Sequence, residues 1–549
     1  MKSKSAITFG GVISIVGTTL LAACGSNSAT DTTKAKNKTL NVQTSSSLTT
    51  MDVSKSTDIV SAQTLNNTNE GLLKFGTNSS LHKALAKSWT VSNNGTRYTY
   101  NLRPSKWSNG DDVTAQDFVY SWQRIVNPKT ASQYAYLFDN VKNATKINAG
   151  KLSPSQLGVK AVGKYKLVVD LNHAQSYFNQ LVANPPQFYP PQNEKVVKKY
   201  GSTYGTTSKA MVYNGPFKLT GWNGTNDTWT MVKNKSYWGA KNVKLNQVKY
   251  WTVKDPQTSL SQYQAGKLDL TTLSGSQVQQ FTKNKDYVLR NSASTFYLEM
   301  NEKKQPPLFK NTKARQALSL IANREQFVDK ILKDGSLASN SFVPTKMQYR
   351  DGKDFAVVSE DKAMTSYNET KAKQLWKEAL KESGKSSINL NLLSDDTASG
   401  KSTTEYLQSQ FEKLPPGLKI TNQNLPFKTR LARSSAGDFD LVVSAWSADY
   451  PDASSFLDLF TTNSSYNNGK WSNAEYDKLV KSASGSLANK PAQRWDAMLK
   501  ANKLITDQAG GVIPLYQQAQ PQLVKSNVKG VIYYPTGSNW DYSKAYLTK

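Results

Sequence analysis

The chain has 549 residues, 38% hydrophobic and 10% aromatic, with a formal charge of +29 at pH 7. That length and apolar content exclude a disordered chain and predict two or three domains. One cysteine and two histidines, His82 and His173, exclude disulfides, cysteine-based zinc sites and His-rich metal centres, and no HExxH, GxSxG or GxxxxGK[ST] occurs to suggest an ordinary hydrolase or ATPase.

At the N-terminus, Lys2 and Lys4 precede an apolar run, Ile7 to Leu21, and then "LAAC" ending at Cys24. A basic start, a short apolar region and small residues before a cut describe an export signal. With the cysteine at the cut, the pattern resembles a bacterial lipoprotein signal: residues 1–23 are removed and Cys24 is lipidated, which anchors the chain to the membrane. Residues 24–38 read as a polar tether. Export argues against nucleic acid as the partner of so basic a chain. An anionic lipid surface or an anionic wall polymer remains a partner for its lysines.

Further along, "TLNVQ" at Thr39 predicts the first strand, and a helix is expected from Asp58 to Leu73. "RYTYNL" (Arg97 to Leu102) and "KYKLVVDL" (Lys164 to Leu171) alternate as strands. Between them, Thr114 and Asp117 have capping-box spacing before a helix whose Phe118, Trp122 and Ile125 share one face. "NPP" at Asn184 and "YPP" at Tyr189 predict a rigid loop. Strands follow at Thr230–Lys233 and Val248–Thr252, and a helix at Leu260–Gln264. Helices are predicted after Asn311, with a second apolar face at Phe327 to Leu332, and over Thr370–Lys381. "INLNLLS" at Ile388 and "DFDLVVSAW" at Asp438 read as strands flanking a helical stretch around Tyr406–Phe411, as in an α/β lobe with a mixed sheet. Ser472 and Glu475 have capping-box spacing, Pro491 suits a first helical turn, and "GVIPLYQQ" and "VKGVIYYP" return to strands.

"SAWSADYPDASSF", Ser444 to Phe456, places Asp449 where an apolar strand ends among aromatic rings, with no Lys or Arg between Arg433 and Lys470. A buried carboxylate needs a partner. Asp449 therefore either caps a surface turn or takes its partner from outside the chain. Asp111, Asp112 and Asp117 look like a metal cluster, but turn and cap roles explain them more simply.

The stretch "LAKSWTVSNNGTRYTYNLRPSKWSNGDDVTAQDFVYSWQR", Leu85 to Arg124, closely resembles the signature of the family-5 extracellular solute-binding proteins, the peptide-binding components of ABC importers. "NEGLL" at Asn69, "YNGPFKLTGW" at Tyr213, "YQAGKLDL" at Tyr263, "ARQALSLIANRE" at Ala314, "ADYPDASSFL" at Ala448 and "IPLYQQ" at Ile513 follow in the expected order. The resemblance implies an α/β, two-lobed, hinged shell of three domains, the large form of the type II periplasmic-binding-protein-like fold. Domain I would comprise 39–76, 208–296 and 514–549, domain II 77–207 and domain III 297–513, with hinges near Leu298–Asn301 and Ile513–Pro514. It implies an oligopeptide ligand, permease and ATPase partners, no cofactor, no metal, no enzymatic activity and a monomer on the outer face of a Gram-positive cytoplasmic membrane.

In oligopeptide-binding members the acid of "ADY" pairs with the ligand's free α-amine, which assigns that role to Asp449. Trp446 and Tyr450 flank it as candidate walls. Tyr213 and Tyr516 stand near the lobe crossings, to touch ligand or brace the hinge. Trp107 is a candidate contact or a packing residue of the second domain. Where some members carry an arginine six residues before the aspartate, for a peptide's C-terminus, this chain has Val443. Arg430 and Arg433 do not match that register, so a loosely held tail and variable ligand length are expected. The alternatives are the same shell around a signalling peptide, sugar or chelate, and a basic surface-adhesion protein.

Overall fold

The structure is a computed structural model that describes residues 38–548 apart from 77–79, 184–188, 361, 416 and 509. The signal, Cys24 and the Asn184–Pro186 part of the predicted rigid loop lie outside the described residues. Lys38–Lys549 form one compact unit.

An 11-stranded mixed sheet organises the molecule, and two long antiparallel strands, Tyr287–Met300 and Val512–Val524, lie at its middle. On one side, Leu441–Ser447 pairs antiparallel with Ser294 to Met300, followed by the parallel strands Ile388–Asp395 and Leu418–Leu425. On the other, Leu270–Thr272 pairs with the far end of Val512–Val524, followed by Thr39–Thr44, Gln247–Thr252, Thr228–Lys233 and Phe217–Thr220. Each half of the central pair thus belongs to a different lobe. A separate four-stranded sheet holds Ala86–Ser92, Arg97–Leu102, Lys166–Asp170 and Val159–Ala161.

The central ladder breaks register between Asn291 and Thr295 and between Phe296 and Tyr297. The second break faces Leu515, beside Pro514. Leu298 to Met300, where a hinge is expected, continues without a break. A bulge lets paired strands bend without losing the rest of the ladder, so the irregularity sits inside the strands and not at their ends. The buried Arg324 guanidinium braces this crossing, donating to Pro514 O at 2.6 Å and Ser319 O at 2.9 Å.

Most expected elements form. Ala115–Val126 is capped by the Thr114/Asp117 box. Several boundaries differ: the helix expected from Leu260 begins at Pro256, the stretch around Tyr406–Phe411 is the end of Ala398–Phe411, and two further cases show the cause. The helix begun at Asp58 is Ile59–Thr68, and Leu73 instead starts the strand Leu73–Phe75. The helix after Trp471 is Ala474–Ser484, whose cap is Asn473, accepting from the Glu475 and Tyr476 amides; the amide side chain one residue nearer the helix takes the role expected of Ser472. Asp112 is not a cap but is ion-paired with Lys106 and Lys164.

Candidate functional site

The strand Leu441–Ser447 buries Leu441, Val442 and Val443 and then delivers Asp449 into the region between the lobes. Its exit is fixed on three sides. The Ala448 amide donates to Ala293 O at 2.8 Å, Ala448 O accepts from the Gly537 amide at 2.6 Å, and the Asp449 amide donates to Ser455 Oγ at 2.7 Å. Ala293 lies within the irregular stretch between Asn291 and Thr295 of the central ladder, so that register break is bonded directly to the residue preceding Asp449.

Asp449 is 4% exposed, and its Oδ2 is buried with no hydrogen-bond partner among the described residues. Burial alone pushes its carboxyl well above the usual range. It does not cap the turn. Asp452 does that work, accepting from the Ser454 amide at 2.9 Å. Around Asp449 the rings of Tyr134, Trp446 and Tyr466 meet edge to face or tilted, with centroids 4.7 Å apart for Trp446–Tyr466 and 5.3 Å for Tyr134–Tyr466. Tyr136 lies 6.2 Å from both Tyr134 and Tyr466. The Asp449 charge adds to burial in pushing all three phenols up. A buried carboxyl surrounded by aromatic rings, with no cation of its own, suits a cation from outside.

This corner opens on a cavity of about 410 Å³ between the lobes. Asp449, Trp446 and Tyr516 line it; Tyr450, Tyr213 and Trp107 do not. Tyr450 turns away to stack on Tyr177 at 6.3 Å, Tyr213 donates to Ser208 O at 2.9 Å inside a core, and Trp107 packs in the core of the four-stranded sheet. Tyr516 stacks on Phe296 at 4.6 Å, at the second register break.

The sequence pattern missed Tyr134, Tyr136 and Tyr466: Tyr134 caps and Tyr136 lies within the single 3-10 turn Ala135–Phe138, too short to show a period, and Tyr466 sits in a turn. Their only local signal is three large rings in segments that build no strand face. It also set Arg430 aside. The helix Phe427–Ser435 places Arg430 on the cavity wall, buried and paired with Asp395 through Nε–Oδ1 at 2.9 Å. Register counted along one strand cannot see a side chain supplied by a helix.

Val443 to Ser447 line the cavity along an edge that bonds the neighbouring strand only through Leu441 and Val442. That leaves main-chain donors and acceptors facing the ligand space. Several contacts span the lobes. Gln133 and Ser465 exchange hydrogen bonds of 2.7 and 3.4 Å, Lys254 pairs with Asp396 at 2.7 Å, and Asn489 donates to Ala174 O at 2.8 Å. Among the described residues no group of three His, Cys, Asp or Glu side chains is placed to hold a metal.

Residues 80–468 match the model of the bacterial extracellular solute-binding proteins, family 5. A dipeptide-binding protein of Lactococcus lactis subsp. cremoris is 37% identical over the whole of both chains. The solved structure of Listeria monocytogenes OppA bound to peptide is 38% identical with a TM-score of 0.89, covering 94% of this chain and 100% of that one. The pheromone receptor PrgZ, solved for its mode of peptide binding, is 36% identical with a TM-score of 0.88, covering 93% and 100%. The match across most of the chain, on a two-lobed frame with a cavity between its halves, means that this chain belongs to the family-5 bacterial extracellular solute-binding proteins.

Proposed function

We propose that this protein is the substrate-binding subunit of an oligopeptide ABC importer, and that Asp449 holds the α-ammonium of the bound peptide. The observation that carries this is a buried carboxylate with an unsatisfied oxygen inside a box of four aromatic rings. An α-amine is cationic below a pKa of about 8. A charge-assisted bond to it contributes roughly 1.5–3 kcal/mol. The free edge at Val443 to Ser447 then pairs with extended ligand backbone, which gives affinity without reading side chains. Arg430 is already neutralised by Asp395, which supports a loosely held C-terminus.

In this reading the three segments 39–76, 208–296 and 514–549 form one domain, 77–207 a second and 297–513 a third, and the irregular stretch between Asn291 and Thr295 acts as the hinge. The protein is anchored through Cys24 on the outer membrane face of a Gram-positive cell, works as a monomer, releases its ligand unchanged, and hands it to a permease driven by separate ATPases. A nutrient peptide is the first assignment. The likeness to a pheromone receptor favours a signalling peptide as the second.

Isothermal titration of one peptide with a free and an acetylated N-terminus tests the anchor. Acetylation is expected to weaken binding at least about tenfold; equal affinities reject the role of Asp449. Native mass spectrometry of freshly purified protein identifies the co-purifying cargo, and a non-peptide mass would replace the ligand class while leaving the shell.

A further inference from the structure

Charge is not spread evenly over this molecule. From Thr228 to Lys254 the chain contains no Asp or Glu but carries Lys233, Lys235, Lys241, Lys244, Lys249 and Lys254. After Lys525 the one carboxylate side chain is Asp541, which is buried and accepts from Tyr534 and the Ser543 amide. The fold brings parts of these two segments to the place where residue 38 joins the sheet. The Asn246 amide donates to Lys38 O at 3.0 Å, and the Lys233 amide donates to Asn246 O at 2.8 Å. The turn between those strands presents Lys235, Lys241 and Lys244 to solvent. The Lys244 ammonium lies 4.3 Å over the Tyr546 ring, Tyr546 pairs with Lys529, and Gly530 packs against the carbonyl of Lys544. Glu70, which meets this segment, is buried and accepts from Tyr237 and Trp238. Trp238 is one of the few exposed large rings, with Arg103 stacked 3.8 Å over it.

We propose that this rim, built on Lys38, Lys235, Lys241, Lys244, Lys529 and Lys544, docks against an anionic phospholipid bilayer. Each lysine near such a surface gains about 1 kcal/mol, and an exposed Trp suits the headgroup layer. The rim sits where the preceding 37 residues reach the fold. Lys38 belongs to the rim, and an anchor at Cys24, 14 positions earlier in the chain, would keep the rim beside the membrane at high effective concentration. The choice of lipid over another anion rests on the proposed anchor at Cys24, but it is independent of the peptide reading, and the test omits the anchor.

Co-sedimentation of the compact unit 38–549 with phosphatidylcholine vesicles, and with equimolar phosphatidylcholine and phosphatidylglycerol, reads the partition directly. Binding is expected only to the anionic vesicles and is expected to fall with salt. The quadruple variant K235E/K241E/K244E/K529E should lose at least about tenfold in partition, since four lysines are removed and four acids added. A control of equal charge change on exposed lysines elsewhere, K419E/K428E/K478E/K500E, should lose less than about threefold. Unchanged melting temperature and peptide affinity in both variants show that each is folded. The proposal is overturned if wild type ignores the anionic vesicles, if both variants lose binding equally, or if wild type sediments with polyglycerol phosphate but not with vesicles, which would give the rim to a wall polymer.

Discussion

Asp449 and Asp452 leave the same strand three residues apart, and both are buried, at 4% and 6% exposure. Asp452 receives both guanidinium nitrogens of Arg494 at 2.7 Å, together with the Ser454 amide and hydroxyl, and its carboxyl is held below the usual range despite burial. Among the described residues Asp449 receives nothing at Oδ2, and its carboxyl is pushed well above the usual range. One turn therefore contains a carboxylate the fold completes and a carboxylate it leaves incomplete. The first holds the turn in place; in the proposed reading, the second supplies the charge that a ligand neutralises. The difference teaches that burial alone does not mark a binding residue. A missing partner does.

The largest effect comes from making the two alike. Removing the cation with Arg494→Ala strands Asp452 in the interior and is expected to cost about 3–5 kcal/mol of folding stability in a denaturant titration. Because the folded carboxyl of Asp452 lies below its unfolded value, its contribution is present above the ordinary range near 4 and lost as pH falls through the folded value. A variant as stable as wild type would show that the pair is decorative.

Asp449→Asn should do the reverse. It removes a bond of roughly 1.5–3 kcal/mol, so affinity for a free-amine peptide falls about 10- to 150-fold. The unliganded variant should melt higher than wild type at neutral pH. The folded carboxyl of Asp449 lies above its unfolded value, so wild type is penalised once pH rises past about 4, and increasingly up to the folded value. At low pH the two proteins should melt alike. A variant less stable than wild type at pH 7 would mean that Asp449 has a hidden partner. The titrating groups that feel its charge are the phenols of Tyr134, Tyr136, Tyr189 and Tyr466, all pushed up and therefore neutral across this window.

Tyr466→Leu sharpens the comparison by keeping the charge and removing one wall. A ring facing a desolvated cation contributes about 0.5–2 kcal/mol, so a free-amine peptide should bind about 2- to 30-fold more weakly. The acetylated peptide should be unaffected, and an equal loss for both would make the ring a packing element only. The smallest effect is expected at the other end of the ligand. Amidating a peptide's C-terminus should change affinity by less than about fivefold, the range of a partly solvated ion pair, because Arg430 already faces Asp395 at 2.9 Å. A larger loss would show that Arg430 grips the tail.

Much of the frame was legible in the residues. Alternation at Arg97–Leu102, the Thr114/Asp117 box and the apolar faces after Asn311 and Pro491 are local patterns, and the corresponding elements formed. Where expectation and structure differ, the deciding term was local competition, as at Asn473, or a register break that leaves no composition signal, as between Asn291 and Thr295. Of the candidate site residues, Asp449 and Trp446 share one corner because they share one strand end. Tyr450 shares that strand end too, yet stacks on Tyr177 in the core, because the chain has left the strand at Ser447 and bends at Asp449 and Tyr450, where the backbone turn and not strand alternation sets the direction of each side chain.

The sequence by itself determined that a carboxylate with no local cation would stand at the end of an apolar strand, because charge and hydropathy along a short segment are fixed by the residues in it. It also determined the family, through ordered segments spread over most of the chain. Only the tertiary structure decided which of two neighbouring aspartates would be neutralised. The choice depends on Arg494, which is 42 positions from Asp452, and on tyrosines brought from some 310 positions away. Energies that vary as the inverse of distance, in a medium emptied of water, are set by where packing brings groups together and not by how far apart they lie in the chain.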